Sequence, residues 1–344
     1  MSSATTLRVI KWQHLLAWAI FLGVLALLPE LVEMKWIKRG TLRTFIFANY
    51  LAIFAMSWDV LSGRTGYISF GHPFLIGIGA YTTGILNVRF GVDPMISIPV
   101  AVLVTMLAGG LFFLPALRIS GSYFALITLA FMELIYQLVQ VIRPDLTGGT
   151  RGISGVDTLM RGAVKNYYLS LALMGSIAIV LWAMMRTRLG TALSAIGMNE
   201  EAVEGSGLNT TKLKLFAFMV GAAVAGIGGA FYAHYLGYVS PRGLFEITLA
   251  FTIIVSALLG GAGTIIGPII GAMFLTFLLE ILRVKFSAEV TEAWPILDWL
   301  ETALKGQGRF FIYGLVALVI YMYQPKGILE IVNRLWARIR GARA

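Results

Sequence analysis

Five ionisable side chains lie inside long apolar runs, where a charged group is energetically costly. They are Asp59, His72, Glu133, His234 and Glu280. An acid or a histidine inside a membrane segment can relay protons, bind a cation or line a polar path, so such a residue is by default a functional candidate. A proton-driven pump needs a chain of these groups, and no such chain is visible in the sequence.

Four of the five have a structural explanation. Glu280 is one turn from Arg283 and near an interface, and His234 lies close to the outer end of its span. Asp59 can cap the end of a span or pair with Arg64, and His72 lies in a Gly-rich segment where it suits a hydrogen-bond donor. Glu133 is the most central. It has two open roles: a structural hydrogen bond facing the helix bundle, or a part in a translocation path.

Enzyme chemistry finds little support. The string GISG at 152–155 resembles a serine-nucleophile turn with His234 as a possible base, but it lies in a polar connection, 143–165, that is typical of an exposed loop. The three histidines are scattered and no HExxH occurs, which disfavours a zinc protease. No GxxxxGK[ST] occurs either, so any use of ATP must come from a partner.

One polar segment, 186–214, concentrates charge between two long apolar regions. Basic residues mark both of its membrane ends, and acids lie in its middle. We expect a partly helical loop at one membrane face, of a kind that a partner protein can grip.

Composition requires a membrane protein. Hydrophobic residues make up 58% and charged residues 13% of the 344 residues, with mean hydropathy +0.83, whereas soluble domains carry roughly 25% charged residues. Each long apolar run approaches the roughly 20 residues that cross a bilayer. We predict an all-α integral membrane protein, a single polytopic bundle of about ten (eight to ten) transmembrane helices near 12–31, 44–61, 68–88, 95–117, 120–142, 167–185, 215–236, 245–260, 264–283 and 309–324. The runs do not alternate as the strands of a β-barrel would.

Three of these spans need comment. The run 247–282 is too long for one crossing at about 1.5 Å per residue, so it must fold back at the Gly-rich hinge 260–263. The last run, 310–324, is short and ends at Pro325, so it either starts near Gly306 or crosses a thinned region. The segment 70–81 contains Pro73 and several glycines, which favours a broken or re-entrant helix.

Orientation follows from the basic residues. The tail 325–344 is rich in arginine, and Arg186, Arg188, Lys212 and Lys214 flank the 186–214 loop. The positive-inside rule then predicts both termini and this loop in the cytoplasm. The first apolar run lacks a cleavage signature, so we expect a retained anchor.

Glycines recur at a spacing that lets membrane helices approach closely. We expect helix packing at Gly221 and Gly229 in one span and at Gly263, Gly267 and Gly271 in another. A sliding surface for a transport cycle is the alternative.

The net charge of +10 is spread among loops, which favours contact with anionic lipid and disfavours nucleic acid. The chain contains no cysteine, so no disulfide or cysteine metal site is expected, and we predict no bound metal.

Several motifs in sequence order carry a resemblance to a known family. They are GRTGYISFGH at 63–72, GIGAY at 77–81, RLG at 188–190, FAF at 216–218, AGIGGA at 225–230, Ser240-Pro241, LGGAGT at 259–264, Gly267-Pro268 and PKG at 325–327. Together they resemble the permeases of branched-chain amino-acid ABC transporters of the LivM type, over residues from about 44 to 330.

The resemblance implies an ABC importer permease fold in a bacterial inner membrane and the partners of that system. These would be a second, LivH-type permease forming a heterodimer, two cytoplasmic ATP-binding subunits that use ATP and Mg, and a periplasmic substrate-binding protein. The chain itself would bind no cofactor and catalyse no reaction. The path or gate candidates are Ser69, Gly71, His72 and Glu133.

The resemblance also gives the 186–214 loop a role. Such permeases present a short coupling helix to the ATPase, mapped here to 198–207, with Asn199, Glu200, Glu201, Ala202, Glu204, Gly205 and Gly207 as its residues. An Asn cap at the start, acids in the first turn and glycines at the end all suit a short helix. A solvated helix without a partner is the alternative.

The expected function is ATP-driven import of branched-chain or related amino acids by alternating access. Permeation of urea, short amides or other small solutes stays open, as does a stand-alone secondary transporter.

Overall fold

Apolar helices of about 20 residues dominate the computed structural model, which describes residues 25–33, 39–116 and 121–285 and the isolated positions 23, 119, 314–315, 322 and 327–330. Within these residues the helices are α1 (Leu28–Glu33), α2 (Arg39–Trp58), α3 (His72–Phe90), α4 (Pro94–Ala116), α5 (Ser122–Val141), α6 (Pro144–Thr147), α7 (Ala163–Met185), α8 (Arg188–Met198), α9 (Glu200–Gly205), α10 (Thr210–Leu236), α11 (Pro241–Leu244), α12 (Ile247–Gly260) and α13 (Ile266–Lys285). A π-helical turn (Asp59–Gly63), a 3-10 turn (Gly149–Arg151) and two short strands, β1 (Ile153–Ser154) and β2 (Tyr238–Val239), complete the fold.

Six stretches of the described chain are long and apolar enough to cross a membrane. They are Gly40–Gly63, Pro94–Ala116, Tyr123–Val141, Ala163–Met185, Thr210–Leu236 and Pro241–Gly260. The all-α polytopic architecture is confirmed, whereas six spans do not confirm the expected eight to ten. The spans predicted near 12–31 and 309–324, and the tail 325–344, lie mainly outside the described residues.

Two helices form the centre of the bundle. The span that contains α2 is the most enclosed, with 83% of its apolar window buried, and it packs against α7, α10, α12 and α13. Helix α10 packs against α2, α3 and α4, and 56% of its apolar window is buried. Small residues line the buried side of this helix, where it meets the neighbouring backbones.

Small residues make that close packing possible. A Cβ atom added at Gly221 would lie 2.7 Å from the Ser57 carbonyl oxygen of α2, and Gly229 lies directly against the Ile76 backbone of α3. Between α3 and α10, a Cβ at Gly79 would lie 2.6 Å from the Gly226 carbonyl oxygen. Glycine is required at these points because any Cβ atom would collide with the neighbouring backbone. Such close packing holds membrane helices together, since no hydrophobic force drives them together in lipid.

The run 247–282 folds back as expected, as α12, a tight turn and α13. Gly260 lies against Gly267, and Gly271 lies against the backbone of Ser256, so the two helices cross in contact. Gly263 belongs to the hinge predicted at 260–263, whereas its grouping with Gly267 and Gly271 in one span is wrong. It lies in the turn between the helices with φ +80°, a conformation that favours glycine.

Asp59 holds that turn. Its buried carboxylate accepts hydrogen bonds from the backbone N–H groups of Gly263 (2.5 Å) and Ile265 (3.0 Å). Ile265 adopts φ +63°, which is strained for a β-branched residue and persists only where the surroundings enforce it. The capping role considered for Asp59 is therefore present, directed at the turn between α12 and α13.

The predicted break inside 70–81 is also wrong in its position. Helix α3 begins at His72 and runs unbroken to Phe90, with Pro73 in the first turn, where its missing N–H removes no helix bond. The interruption lies earlier, in the non-helical segment Tyr67–Gly71 between the π-helical turn and α3.

At the opposite end of α10 from α8 and α9, the connection 143–162 is tied to the bundle. Strand β1 pairs antiparallel with β2, with Ile153 opposite Val239. His234 Nδ1 donates to the Asp157 carbonyl oxygen at 2.6 Å, and its Nε2 lies 2.9 Å from Thr83 Oγ1. Both ring nitrogens are therefore engaged and Ser154 is not their partner, which argues against the serine-nucleophile alternative.

Candidate functional site

The polar segment 186–214 folds into helices α8 and α9, which form an exposed surface. Asn199 separates them, and its side chain accepts a hydrogen bond from the Ala202 N–H at 3.0 Å, which caps α9 as predicted. Helix α9 ends at Gly205, and Gly207 takes φ +86° as the chain turns towards α10. Asn209 then caps α10 through the Lys212 N–H at 2.9 Å.

The predicted coupling residues divide into an outer and an inner group. Asn199, Glu201, Ala202, Glu204, Gly205 and Gly207 are exposed. Next to them Met198, the last residue of α8, leaves 88% of its surface exposed. The flexible thioether of a methionine can adapt to the shape of an apolar pocket.

Glu200 points the other way. One carboxylate oxygen accepts from Lys214 Nζ at 2.6 Å and the other from the Tyr67 hydroxyl at 2.6 Å, while Lys214 also donates to the Tyr67 oxygen at 3.1 Å. The Lys214 side chain is 3% exposed and that of Glu200 is 26% exposed. Burial raises the pKa of Glu200, but the hydrogen bonds from Lys214 and Tyr67 outweigh it and hold that pKa below its ordinary value.

A second set of contacts joins α8 to the same stretch of chain. Arg64 donates to Ser194 Oγ at 3.1 Å, and Gly197 lies directly against the Arg64 carbonyl oxygen. Residues 64–67 therefore contact both helices of the exposed surface. A displacement of α8 and α9 must move this segment or break these contacts.

The segment continues into the start of α3, where Ser69, Gly71 and His72 are buried together. Trp58 Nε1 donates to the Ser69 carbonyl oxygen at 2.8 Å, and the Phe70 N–H donates to Thr128 Oγ1 at 3.0 Å. His72 Nε2 lies 3.2 Å from the Ser57 carbonyl oxygen, which fits the role of structural donor. The polar backbone groups of Ser69 and Phe70 are thus satisfied by side chains from Trp58 and α5.

Glu133 does not join them. Its side chain is exposed on α5 and accepts a hydrogen bond from Gln137 Nε2 at 2.8 Å. The alternative of a structural bond facing the bundle is therefore wrong, because the carboxylate lies on the outer face of the helix.

A small cavity lies near the strands, at the other end of the molecule. It encloses about 140 Å³ and is lined by α3, α10 and the chain after them, including Ala80, Tyr232, Leu236, Tyr238, Ser240 and Leu244. The lining combines aliphatic side chains with the polar groups of Tyr232, Tyr238 and Ser240.

Comparison with known proteins supports the resemblance that these motifs carry. Residues 40–306 match the family described as "Branched-chain amino acid transport system / permease component". The chain belongs to this family. No solved structure matched it.

Two curated relatives within the family have the same description, high-affinity branched-chain amino acid transport system permease protein LivM. The one from Salmonella typhimurium is 29% identical over 284 residues, covering 73% of this chain and 66% of its own length. The one from Escherichia coli K12 is 29% identical over 276 residues, covering 72% and 64%. The chain thus spans slightly less than two thirds of each of these relatives.

More distant members have other substrates in their names. The ribose import permease protein RbsC of Haemophilus influenzae is 25% identical over 207 residues, covering 58% of this chain and 64% of its own length. Family membership therefore identifies a permease component and leaves the solute to be established.

Sequence reasoning did not pick out Tyr67 and Lys214 as a functional pair. Tyr67 appeared only as a letter of the motif at 63–72, and Lys214 only as a topology marker. The available signal was a lysine directly before the apolar run that begins at Leu215, where an unpaired charge is costly and a partner acid is favoured.

Proposed function

We propose that this chain is a transmembrane permease subunit of an ATP-driven importer and carries branched-chain or related amino acids by alternating access. Its partners would be a second, LivH-type permease, two ATP-binding subunits that hydrolyse ATP with Mg, and a substrate-binding protein. Family membership supports this proposal, and so does the exposed, acid-bearing α9 surface.

We infer that α8 and α9 face the cytoplasm together with both termini. The basic residues at the membrane ends of this loop, Arg186, Arg188, Lys212 and Lys214, favour that orientation. Helices α3 and α13 and the apolar runs near 12–31 and 309–324 would bring the six candidate spans to the eight to ten expected.

The observation that carries the proposal is the Glu200–Tyr67–Lys214 cluster. Through it, α9 is bonded to the segment that enters α3 and, at Lys214, to the second turn of α10. When the ATPases close on ATP, a displacement of α9 would pull both spans and switch the cavity between the two permeases. The binding protein would deliver the amino acid to the opposite face, near β1, β2 and the turn at Ser240.

Charge reversal at the exposed acids tests this function. In proteoliposomes that contain the whole complex, we expect Glu201→Lys with Glu204→Lys to reduce uptake of labelled leucine by about tenfold or more, since the loss of one charge-assisted contact already corresponds to roughly that factor. Insertion of the permease should be unchanged. Glu30→Lys is the matched control, because Glu30 is an exposed acid outside the α8–α9 surface and outside the strands and turn assigned to the binding protein.

Two outcomes would contradict the proposal. Uptake by the wild-type complex without ATP would indicate a secondary transporter. Normal uptake and normal ATPase association in the double variant would remove the coupling role of α9. Replacing leucine by urea, short amides or other amino acids in the same assay, with the binding protein that accompanies this chain, would identify the solute.

A further inference from the structure

Three acids lie within the six candidate spans, and they have different surroundings. Asp59 is buried and bonded to two backbone N–H groups. Glu246 lies before the first residue of α12, 3.6 Å from Arg242 Nε. Glu133 is exposed in the middle of its span, and Gln137 is its hydrogen-bond partner within the described residues. Among these three acids, Glu133 is therefore the one that is bonded only within its own helix in the described residues.

The position of Glu133 near the middle of its span makes an exposed carboxylate energetically costly. The span runs from Tyr123 to Val141, so at about 1.5 Å per residue Glu133 lies about 15 Å from one end and about 12 Å from the other. A glutamate side chain is too short to reach either interface from there. A carboxylate facing hydrocarbon at this depth is strongly disfavoured, so this face of α5 must meet water or protein groups.

The helix itself points to the same conclusion. Only 17% of the α5 window is buried, the lowest share among the six candidate spans. Its exposed face carries Leu126, Ala130, Glu133, Leu134, Gln137 and Leu138, which we call the α5 face. Glu133 and Gln137 are one helical turn apart, so two polar acceptors stand together among leucines.

We propose that the α5 face lines the translocation path and that Glu133, with the amide oxygen of Gln137, binds the ammonium group of the amino acid in transit. The three N–H bonds of an ammonium group suit two neighbouring acceptors, and the leucines beside them suit an aliphatic side chain. Glu133 accepts a charge-assisted hydrogen bond from the ammonium, and the Gln137 amide N–H holds the carboxylate in place. This inference rests on the proposed function, since it needs a path between two permeases.

Thiol labelling tests whether water reaches the α5 face. The chain has no cysteine, so single substitutions can be labelled without background. In the whole complex in proteoliposomes, a charged methanethiosulfonate added to both sides should modify Glu133→Cys and Gln137→Cys about tenfold faster than Leu107→Cys, because a thiol ionises and reacts only where water reaches it. Leu107 is a matched control on α4, 70% exposed and also near mid-span. Equally slow reaction at all three positions would overturn the proposal.

Transport kinetics then test the ammonium contact. Glu133→Gln should raise the KM for leucine uptake by about tenfold, the factor expected for one lost charge-assisted hydrogen bond. Glu133→Asp should recover part of that loss, and Glu30→Gln, at an exposed acid outside the six candidate spans, should not change KM. An unchanged KM in Glu133→Gln would overturn the inference, as would loss of the second permease on purification, which would indicate a basic partner residue instead.

These failures can be told apart from failure of the proposed function. If the wild-type complex imports leucine with ATP and only the Glu133 results are negative, the path assignment alone is wrong. If the wild-type complex does not import with ATP, the proposed function fails first.

Discussion

At the residue scale, the most consequential side chain is Tyr67. Its hydroxyl donates to Glu200 and accepts from Lys214, and its ring packs edge-on against Phe124 at 5.3 Å. Lys214 also lies 4.3 Å above the centre of that ring. One residue thus joins the α9 surface, the start of α10 and an aromatic contact with α5.

The ionised form of Glu200 should stabilise this cluster in a pH-dependent way. Because its pKa is lowered in the fold, its contribution is present above the ordinary glutamate value of about 4.3 and is lost as the pH falls through the lower folded pKa. We expect the melting temperature of Glu200→Gln to lie below that of the wild type at pH 6 to 7, and the difference to shrink below about pH 4.

The measurement is thermal unfolding of the purified protein in detergent across that pH range. Glu201→Gln is the matched control, since the neighbouring acid is exposed and should show little difference at any pH. A constant difference between wild type and Glu200→Gln down to low pH would contradict the assignment.

At the element scale, the close contact between α10 and its neighbours depends on glycines, which have no side chain. Gly229 lies against the Ile76 backbone of α3, and backbone cannot move aside as a flexible side chain can. The two helices therefore hold each other at a fixed distance.

Gly229→Ala should separate α3 from α10. We expect a loss of about 1–3 kcal/mol in the free energy of unfolding, the usual range for an overpacked core. Denaturant or thermal unfolding in detergent measures it. Gly40→Ala, where an added Cβ meets nothing within 4 Å, should leave stability unchanged or raise it slightly. Equal stability of the two variants would show that the contact can relax.

At the scale of the whole molecule, the long helix α10 separates two polar ends. Helices α8 and α9 lie at its start, and the β1–β2 pair and the His234 contacts lie at its other end, about 40 Å away for 27 residues. One end carries the connection 143–162, and the other end is bonded to the α9 surface. Such an arrangement is suited to opening at one end at a time.

Labelling in intact cells should reveal the two ends on opposite sides. Met198→Cys and Thr158→Cys are both exposed positions in a chain without cysteine. An impermeant maleimide added outside should label Thr158→Cys in whole cells, and Met198→Cys only after the membrane is opened. The reverse pattern would invert the orientation inferred from the basic residues.

Much of this protein follows from sequence because membrane physics acts locally. The low charge and long apolar runs determine helical spans, the Gly-rich string at 260–263 determines a reversal, and Asn199 with Gly205 and Gly207 determines a short capped helix. Each depends on neighbours within a few residues of chain.

The tertiary structure alone decided what depends on distant partners. In the structure, Glu200 points inward and binds Tyr67 and Lys214. Asp59 accepts hydrogen bonds from the turn at 263–265, and Gly263 lies in that turn. The structure also places Glu133 on an exposed face, although its central position had left a bundle-facing role open. Burial and pairing between segments up to about 200 residues apart are set by how whole helices pack, and no local pattern encodes that packing.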